Sequence, residues 1–155
     1  MKKLLLPVFC LALLSTGCGK EDKNCPPVTT TAPAAEIATL KSYITNSSIT
    51  ATEDPRGFYY SITTPGTGDK PSPCNDVTVN YSGKLTNGTQ FDAGNAVTFT
   101  LSGLIVGWQE GIPLIAKGGR IVLYLPPSLA YGSQANGSIP ANSILIFTID
   151  LLYIS

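Results

Sequence analysis

Six aromatic residues in the second half of the chain are the side chains best able to define its chemistry: Tyr81, Phe91, Phe99, Trp108, Tyr131 and Phe147. Tyr81 lies in Val79-Asn80-Tyr81-Ser82-Gly83, and Phe91 is followed directly by Asp92. Trp108, the sole tryptophan, stands between Gly107 and Gln109-Glu110-Gly111. Tyr131 is held in Leu129-Ala130-Tyr131-Gly132, and Phe147 in the apolar run Ile144-Leu145-Ile146-Phe147. Singly, each of these rings could fill a core. Gathered with very few polar groups, they form a pocket for an apolar ligand, and a proline ring is one.

What the chain lacks narrows the chemistry further. It contains no histidine, which excludes histidine-dependent triads, histidine-type zinc sites and imidazole acid–base catalysis. Its formal net charge is zero, with 10 basic and 10 acidic residues. Loss of Lys2 and Lys3 with a leader would make the remainder negative by about two, the opposite of a nucleic-acid footprint.

Such a leader is legible. Met1-Lys2-Lys3 is a basic start, and Leu4 to Leu14 is an apolar run of signal-peptide length, too short to span a bilayer. Leu14-Ser15-Thr16-Gly17-Cys18 resembles a bacterial lipoprotein signal, in which the cysteine is acylated and becomes the mature N-terminus. Ser15 departs from that pattern, where leucine is usual; plain secretion with cleavage nearby is the alternative. The expected localisation is the cell envelope, lipid-anchored to a bacterial membrane, the outer one by preference, facing periplasm or cell surface. Cys10 would leave with the leader and Cys18 take lipid. In an oxidising compartment the remaining two of the four cysteines, Cys25 and Cys74, are then expected to pair as a disulfide.

The expected organisation is a signal peptide over 1–17, a Pro/Thr-rich tether over 18–33, a helix with linker over 34–56 and a domain over 57–155. Lys20-Glu21-Asp22 after Cys18 also resembles a surface-export signal of some gram-negative lipoproteins, although a solvated spacer reads the same way. A helix is predicted from Ala34 to about Asn46, with Ile37, Leu40 and Ile44 on one face. From residue 57 the period becomes two. Strands are predicted around Phe58–Ile62, Val77–Tyr81, Val97–Leu101, Ile121–Leu125 and Ser143–Ile154, the last apolar on both faces and so central. Asn87-Gly88 is a strong turn dipeptide. Ile105, Trp108, Ile112 and Ile115 fit one short helix, kept brief by Gly111 and Pro113. The fold class is α+β: a curved antiparallel sheet of about five strands wrapped over one short α-helix, plus the N-terminal helix.

Taken together, these segments resemble the FKBP-type peptidyl-prolyl cis-trans isomerases, the macrolide-binding immunophilins, over residues 57–154. The motifs are Val79 to Gly83, Phe91-Asp92, Leu104-Ile105, Gly107-Trp108 with Glu110-Gly111, Pro127 to Gly132, Ile139-Pro140 and Phe147. The resemblance implies pocket walls of Tyr81, Phe91, Phe99, Leu104, Ile105, Tyr131, Ile139 and Phe147, with Trp108 as the floor. It assigns Asp92 a hydrogen bond inside the pocket, and gives the Tyr131 hydroxyl and the Ile105 N–H the task of holding substrate carbonyls. Val106 replaces the basic residue common before Gly-Trp, and Ala141-Asn142 stands where many members carry Pro-His. The loop from Ser133 to Ser138 has no apolar residue beyond Ala135. These departures bear on sequence preference and inhibitor affinity more than on activity.

The implied activity suits the residues. Rotation about an X–Pro bond makes and breaks no covalent bond, so it needs neither nucleophile nor imidazole, and neither cofactor nor metal is expected. The implied partners are X–Pro-containing polypeptides and macrolide inhibitors, with membrane contact through the lipid, no nucleic acid, and a monomeric state. The alternative is a proline-peptide-binding, chaperone-like module with little turnover.

Overall fold

The computed structural model describes residues 25–155. The leader and Cys18 lie outside them. The chain forms helix α1 (Ala34–Asn46), strands β1 (Thr52–Glu53), β2 (Tyr59–Thr64), β3 (Asp76–Leu85) and β4 (Gln90–Thr100), helix α2 (Val106–Gly111), and strands β5 (Arg120–Leu125) and β6 (Leu145–Ile154). The six strands pair antiparallel in the order β1-β2-β5-β6-β3-β4, which adds the two-residue β1 to the five expected from sequence.

β6 sits between β5 and β3, as its apolar length predicts. Leu145, Phe147, Ile149 and Leu151 are buried on one face and alternate with half-buried residues on the other. The buried face meets α2 with Val77, Val79, Ile121, Leu123 and Leu125 from neighbouring strands. A Cβ on Gly111 would lie 2.6 Å from the Leu123 methyls, so the missing side chain lets helix and sheet approach closely. Gly111 passes directly into a 3-10 turn carrying Pro113, which ends the helix after six residues.

α1 runs over the span its apolar spacing predicts, but its three apolar residues do not share one task. Leu40 and Ile44 pack with Tyr59 against Tyr43, Ile49, Tyr124 and Ile144, on the opposite side of the sheet from α2. Ile37 instead joins the main core, where its side chain occupies the space left open by Gly57. Glu36 reaches across to accept the Ser128 N–H at 2.8 Å. Cys25 and Cys74 are bonded to one another, their Cα atoms 5.2 Å apart, and Ala32 is buried. The described part of the Pro/Thr-rich segment is thus held to the rest of the domain through Cys25 and Ala32.

β4 is the largest difference from the sequence reading, which began this strand at Val97. The structure begins it at Gln90, because two bulges place one extra residue each in β4, between the pairs Val79↔Val97 and Tyr81↔Gly94 and again between Gly83↔Asp92 and Lys84↔Gln90. Each bulge breaks the period-two signal and re-aims the strand. Ala96 takes a positive φ of 52° at the first bulge, where its N–H donates to Asn80 Oδ1 at 2.7 Å. Phe91 is the extra residue of the second.

α2 itself carries a buried acid. Glu110 is 3% exposed, its carboxylate accepts no hydrogen bond among the described residues, and Arg56 Nε stands 4.0 Å from it. Arg56 is committed to Asp54 by bonds of 2.8 and 2.9 Å. Burial pushes the Glu110 carboxyl up from 4.5 to about 7; Asp54 adds to that rise, and Arg56 opposes it. The folded protein thus keeps a proton that the unfolded chain has released, so stability falls as pH rises from about 4.5 to about 7. Glu110→Gln should flatten this decline, whose slope is at most about 1.4 kcal/mol per pH unit. Urea denaturation across that window measures it, and a variant that keeps the wild-type slope refutes the assignment.

Candidate active site

The concave face of the sheet and α2 enclose a cavity of about 280 Å³ lined by Tyr81, Asp92, Phe99, Gly103, Leu104, Ile105, Trp108, Tyr131 and Phe147. Each element contributes according to its local geometry. β3 presents Tyr81, β4 presents Asp92 and Phe99, and β6 presents Phe147. Leu104 and Ile105 come from the extended pair that leads into α2, and Tyr131 from the loop after Pro126-Pro127 stops β5.

Trp108 forms the floor. Its ring is 4% exposed and meets Tyr81 and Phe147 edge-on at 5.2 Å each, and Phe99 at 6.0 Å. Edge-to-face contacts direct ring hydrogens at neighbouring π-faces and so fix the angle of each wall. The Trp108 Nε1–H is buried and has no acceptor among the described residues.

Few polar groups reach the cavity. The Tyr81 hydroxyl donates to Asp92 Oδ2 at 2.9 Å, and Asp92 Oδ1 accepts the Ala93 N–H at 2.8 Å. Burial and the bond to Asp92 push the Tyr81 phenol up to about 12, so it remains a donor at neutral pH. Tyr131 is also raised, by burial and then by the Asp92 charge, and is 39% exposed at the cavity mouth. The Ile105 N–H meets no acceptor among the described residues, while the Ile105 carbonyl receives the Trp108 N–H at 2.9 Å. The arrangement offers a dry apolar floor, two phenols, one carboxylate and one available backbone donor. It suits orientation and desolvation of a bound group, not attack upon it.

Eight of the residues singled out from sequence line this cavity. Phe91 stands behind the wall, edge-on to Phe147 at 5.5 Å. Ile139 is 6% exposed and packs into the main core, with its backbone bridged to Asn136. Sequence reasoning missed Gly103, which lines the cavity, and the reason for Gly83. A Cβ on Gly83 would lie 2.6 Å from the Phe91 ring and 2.9 Å from that of Phe147, so only glycine lets both rings close over β3. Gly83 closes the Tyr81 motif; that two-residue spacing from an aromatic was the available signal.

A larger groove of about 520 Å³ runs between α1 and the β3–β4 turn, with Glu36, Leu85, Pro127, Pro140 and Ile144 among its walls. It has no aromatic lining, and its one carboxylate is already engaged by Ser128. The ring-lined, apolar surface expected from the sequence is that of the smaller cavity. Among the described residues no cluster of three or more His, Cys, Asp or Glu side chains could hold a metal ion.

Comparison with known proteins agrees with this geometry. Residues 68–152 match the family model of the FKBP-type peptidyl-prolyl cis-trans isomerases. The FKBP-type peptidyl-prolyl cis-trans isomerase FkpA of Buchnera aphidicola subsp. Schizaphis graminum is 48% identical over 101 residues, covering 62% of this chain and 40% of that protein. FkpA of Escherichia coli strain K12 is 43% identical over 100 residues, covering 62% and 37%. This chain therefore spans only about two fifths of the length of these curated relatives. The crystal structure of Escherichia coli FkpA superposes with a TM-score of 0.71 at 37% identity, over 79% of this chain and 60% of that one. A peptidyl-prolyl cis-trans isomerase from Pseudomonas syringae pv. tomato gives 0.69 at 30% identity, over 82% of this chain and 99% of its own. The six-stranded sheet, the short helix and the aromatic cavity accord with these matches, and the chain belongs to the FKBP-type peptidyl-prolyl cis-trans isomerase family.

Proposed function

We propose that this protein accelerates cis–trans rotation of X–Pro bonds in exported polypeptides, with the proline ring seated over Trp108. The observation that carries this reading is the cavity itself: five aromatic rings, Leu104 and Ile105 around one carboxylate, with no nucleophile. An X–Pro bond rotates over a barrier of about 18–20 kcal/mol because amide resonance must be broken. The twisted amide is less dipolar than the planar one, so an apolar pocket favours the transition state over the ground state. Tyr81, Phe99, Phe147 and Trp108 supply that environment, and Phe91 braces Phe147. Asp92 holds Tyr81, while the Tyr131 hydroxyl and the Ile105 N–H take the carbonyls that flank the turning bond. Macrolides compete for the same floor.

The reading extends to place. A lipid on Cys18 would hold a monomeric domain at the cell envelope, with residues 1–17 removed as a signal and the tether pinned through Cys25. Among the described residues no helix is long and apolar enough to cross a membrane. Intact-mass analysis of membrane-fraction protein should find cleavage before Cys18 and added acyl mass; a soluble species with an unmodified cysteine would sink this part.

A protease-coupled assay on a set of X–Pro tetrapeptides tests the activity, with single-tryptophan fluorescence reporting ligand arrival at Trp108. Tyr131→Phe should stay folded and lower kcat/KM by roughly 3- to 10-fold, the scale of one neutral hydrogen bond. If folded wild-type protein leaves every peptide at its spontaneous rate, the enzyme reading falls. A remaining Trp108 response would then identify a proline-peptide-binding module.

A further inference from the structure

Gln109 is one turn into α2 and half-buried, and its side-chain amide donates to the Leu104 carbonyl at 2.6 Å. That carbonyl shares a single peptide unit with the Ile105 N–H. All peptide bonds of the described chain are trans, and in a trans unit C=O and N–H point in opposite directions. Leu104 and Ile105 are both extended, with ψ of 171° and 148°, so the unit belongs to no helix or strand ladder that would otherwise set its orientation. The helix ahead secures only the next carbonyl, that of Ile105, through the Trp108 and Gln109 N–H groups at 2.9 and 3.2 Å.

From this geometry we infer that Gln109 is a positioning residue: by drawing the Leu104 carbonyl toward α2, it turns the Ile105 N–H toward the cavity that Leu104 and Ile105 line. The inference rests on the isomerase reading for the identity of the bound carbonyl, but not for the contact itself. Without the Gln109 amide the unit is free to rotate about the Leu104 ψ and Ile105 φ bonds. The donor would then be offered in the productive direction only part of the time, which weakens a preorganised interaction without removing it. Gln109 touches no substrate; it acts through the peptide unit. The requirement is chemical as well as steric, because the contact needs a donor at that position. A hydrocarbon of similar length, or a carboxylate, cannot provide one.

The test uses the disulfide-bonded protein labelled with nitrogen-15 and an Ala-Leu-Pro-Phe tetrapeptide. Cis–trans exchange of the peptide is followed by magnetisation-exchange NMR, which works at low pH where a coupled protease does not. Gln109→Leu should lower kcat/KM roughly 5- to 10-fold, the scale of one misplaced hydrogen bond, with thermal stability nearly unchanged. It should also shrink the peptide-induced shift of the Ile105 amide proton. Gln109→Glu should match Gln109→Leu at neutral pH. It should then recover to within about twofold of wild type as pH falls below the introduced carboxyl's value of about 4.3, since the protonated acid donates again. A merely structural role gives no such recovery. Equal kcat/KM and an equal Ile105 shift in Gln109→Leu overturn the inference, as does a Gln109→Glu variant that stays impaired at low pH. If wild type does not accelerate exchange, yet peptide moves the Ile105 amide in wild type and not in Gln109→Leu, the positioning role stands and the isomerase reading falls. No shift of Ile105 in wild type overturns the positioning role.

Discussion

Phe147→Ala should destabilise the protein by about 3–5 kcal/mol, the usual range for emptying a buried aromatic site, and should remove most of the turnover. Phe147 is 3% exposed on β6, between β5 and β3 at the centre of the sheet. Its ring meets Trp108 at 5.2 Å and Phe91 at 5.5 Å, both edge-on, so its loss leaves two rings without a face to pack on. β6 is hydrogen-bonded on both sides, which prevents the backbone from collapsing into the space. Stability and function fall together because the same ring is core to the sheet and wall to the cavity. Urea unfolding should show a lower midpoint at an unchanged slope. A loss below about 1 kcal/mol would mean that Phe91 or Trp108 moves to fill the site, contrary to the tight ring geometry.

Breaking the Cys25–Cys74 bond should have an effect of similar size on stability and little on the cavity. The two residues are 49 apart in sequence, and closing a loop of that length restricts the unfolded chain by an amount equivalent to about 4 kcal/mol in the chain-entropy estimate. The loop contains α1, β1 and β2, and the bond fastens the segment ahead of α1 to the turn that leads into β3. Neither cysteine lines the cavity. Thermal unfolding with and without reductant should separate the two species widely. Turnover at a temperature where both are folded should differ by less than about twofold, because no wall residue moves. A Cys25→Ala/Cys74→Ala double variant should behave as the reduced form. Unfolding that ignores reductant would show that the bond does not form in the protein as made.

The rings that wall the cavity are also part of the main core of the domain. Tyr81 and Asp92 satisfy each other, and the pair can sit against Trp108 without an unpaired hydroxyl. Glu110, on the helix that carries Trp108, is the exception: its acid lacks hydrogen bonds and resists ionising. Stability of this helix–sheet contact is therefore greatest where that acid is protonated, a feature independent of the aromatic cavity.

The sequence by itself determined the elements that local chemistry controls. Pro33 and the spacing of Leu40 and Ile44 define α1, alternation defines β5, a long run apolar on both faces defines β6, Pro126-Pro127 stops β5, and Gly111 with Pro113 shortens α2. These signals depend on neighbours a few residues away, so they survive without a tertiary context. The ring types and their order also announced the family and most of the cavity. Only the tertiary structure decided what depends on cross-strand register. The bulges that extend β4 back to Gln90 are set by pairing with β3, and they place Asp92 opposite Gly83. Ile37 and Ile139 were assigned from sequence to one helix face and to the cavity wall, yet both pack into the main core, because a side chain's direction follows from which neighbour it meets. The Gln109–Leu104 bond and the need for glycine beneath the Phe91 and Phe147 rings belong to the same class. Period and propensity specify which elements form; the convergence of distant side chains follows from how the sheet closes around α2, and no local pattern encodes that.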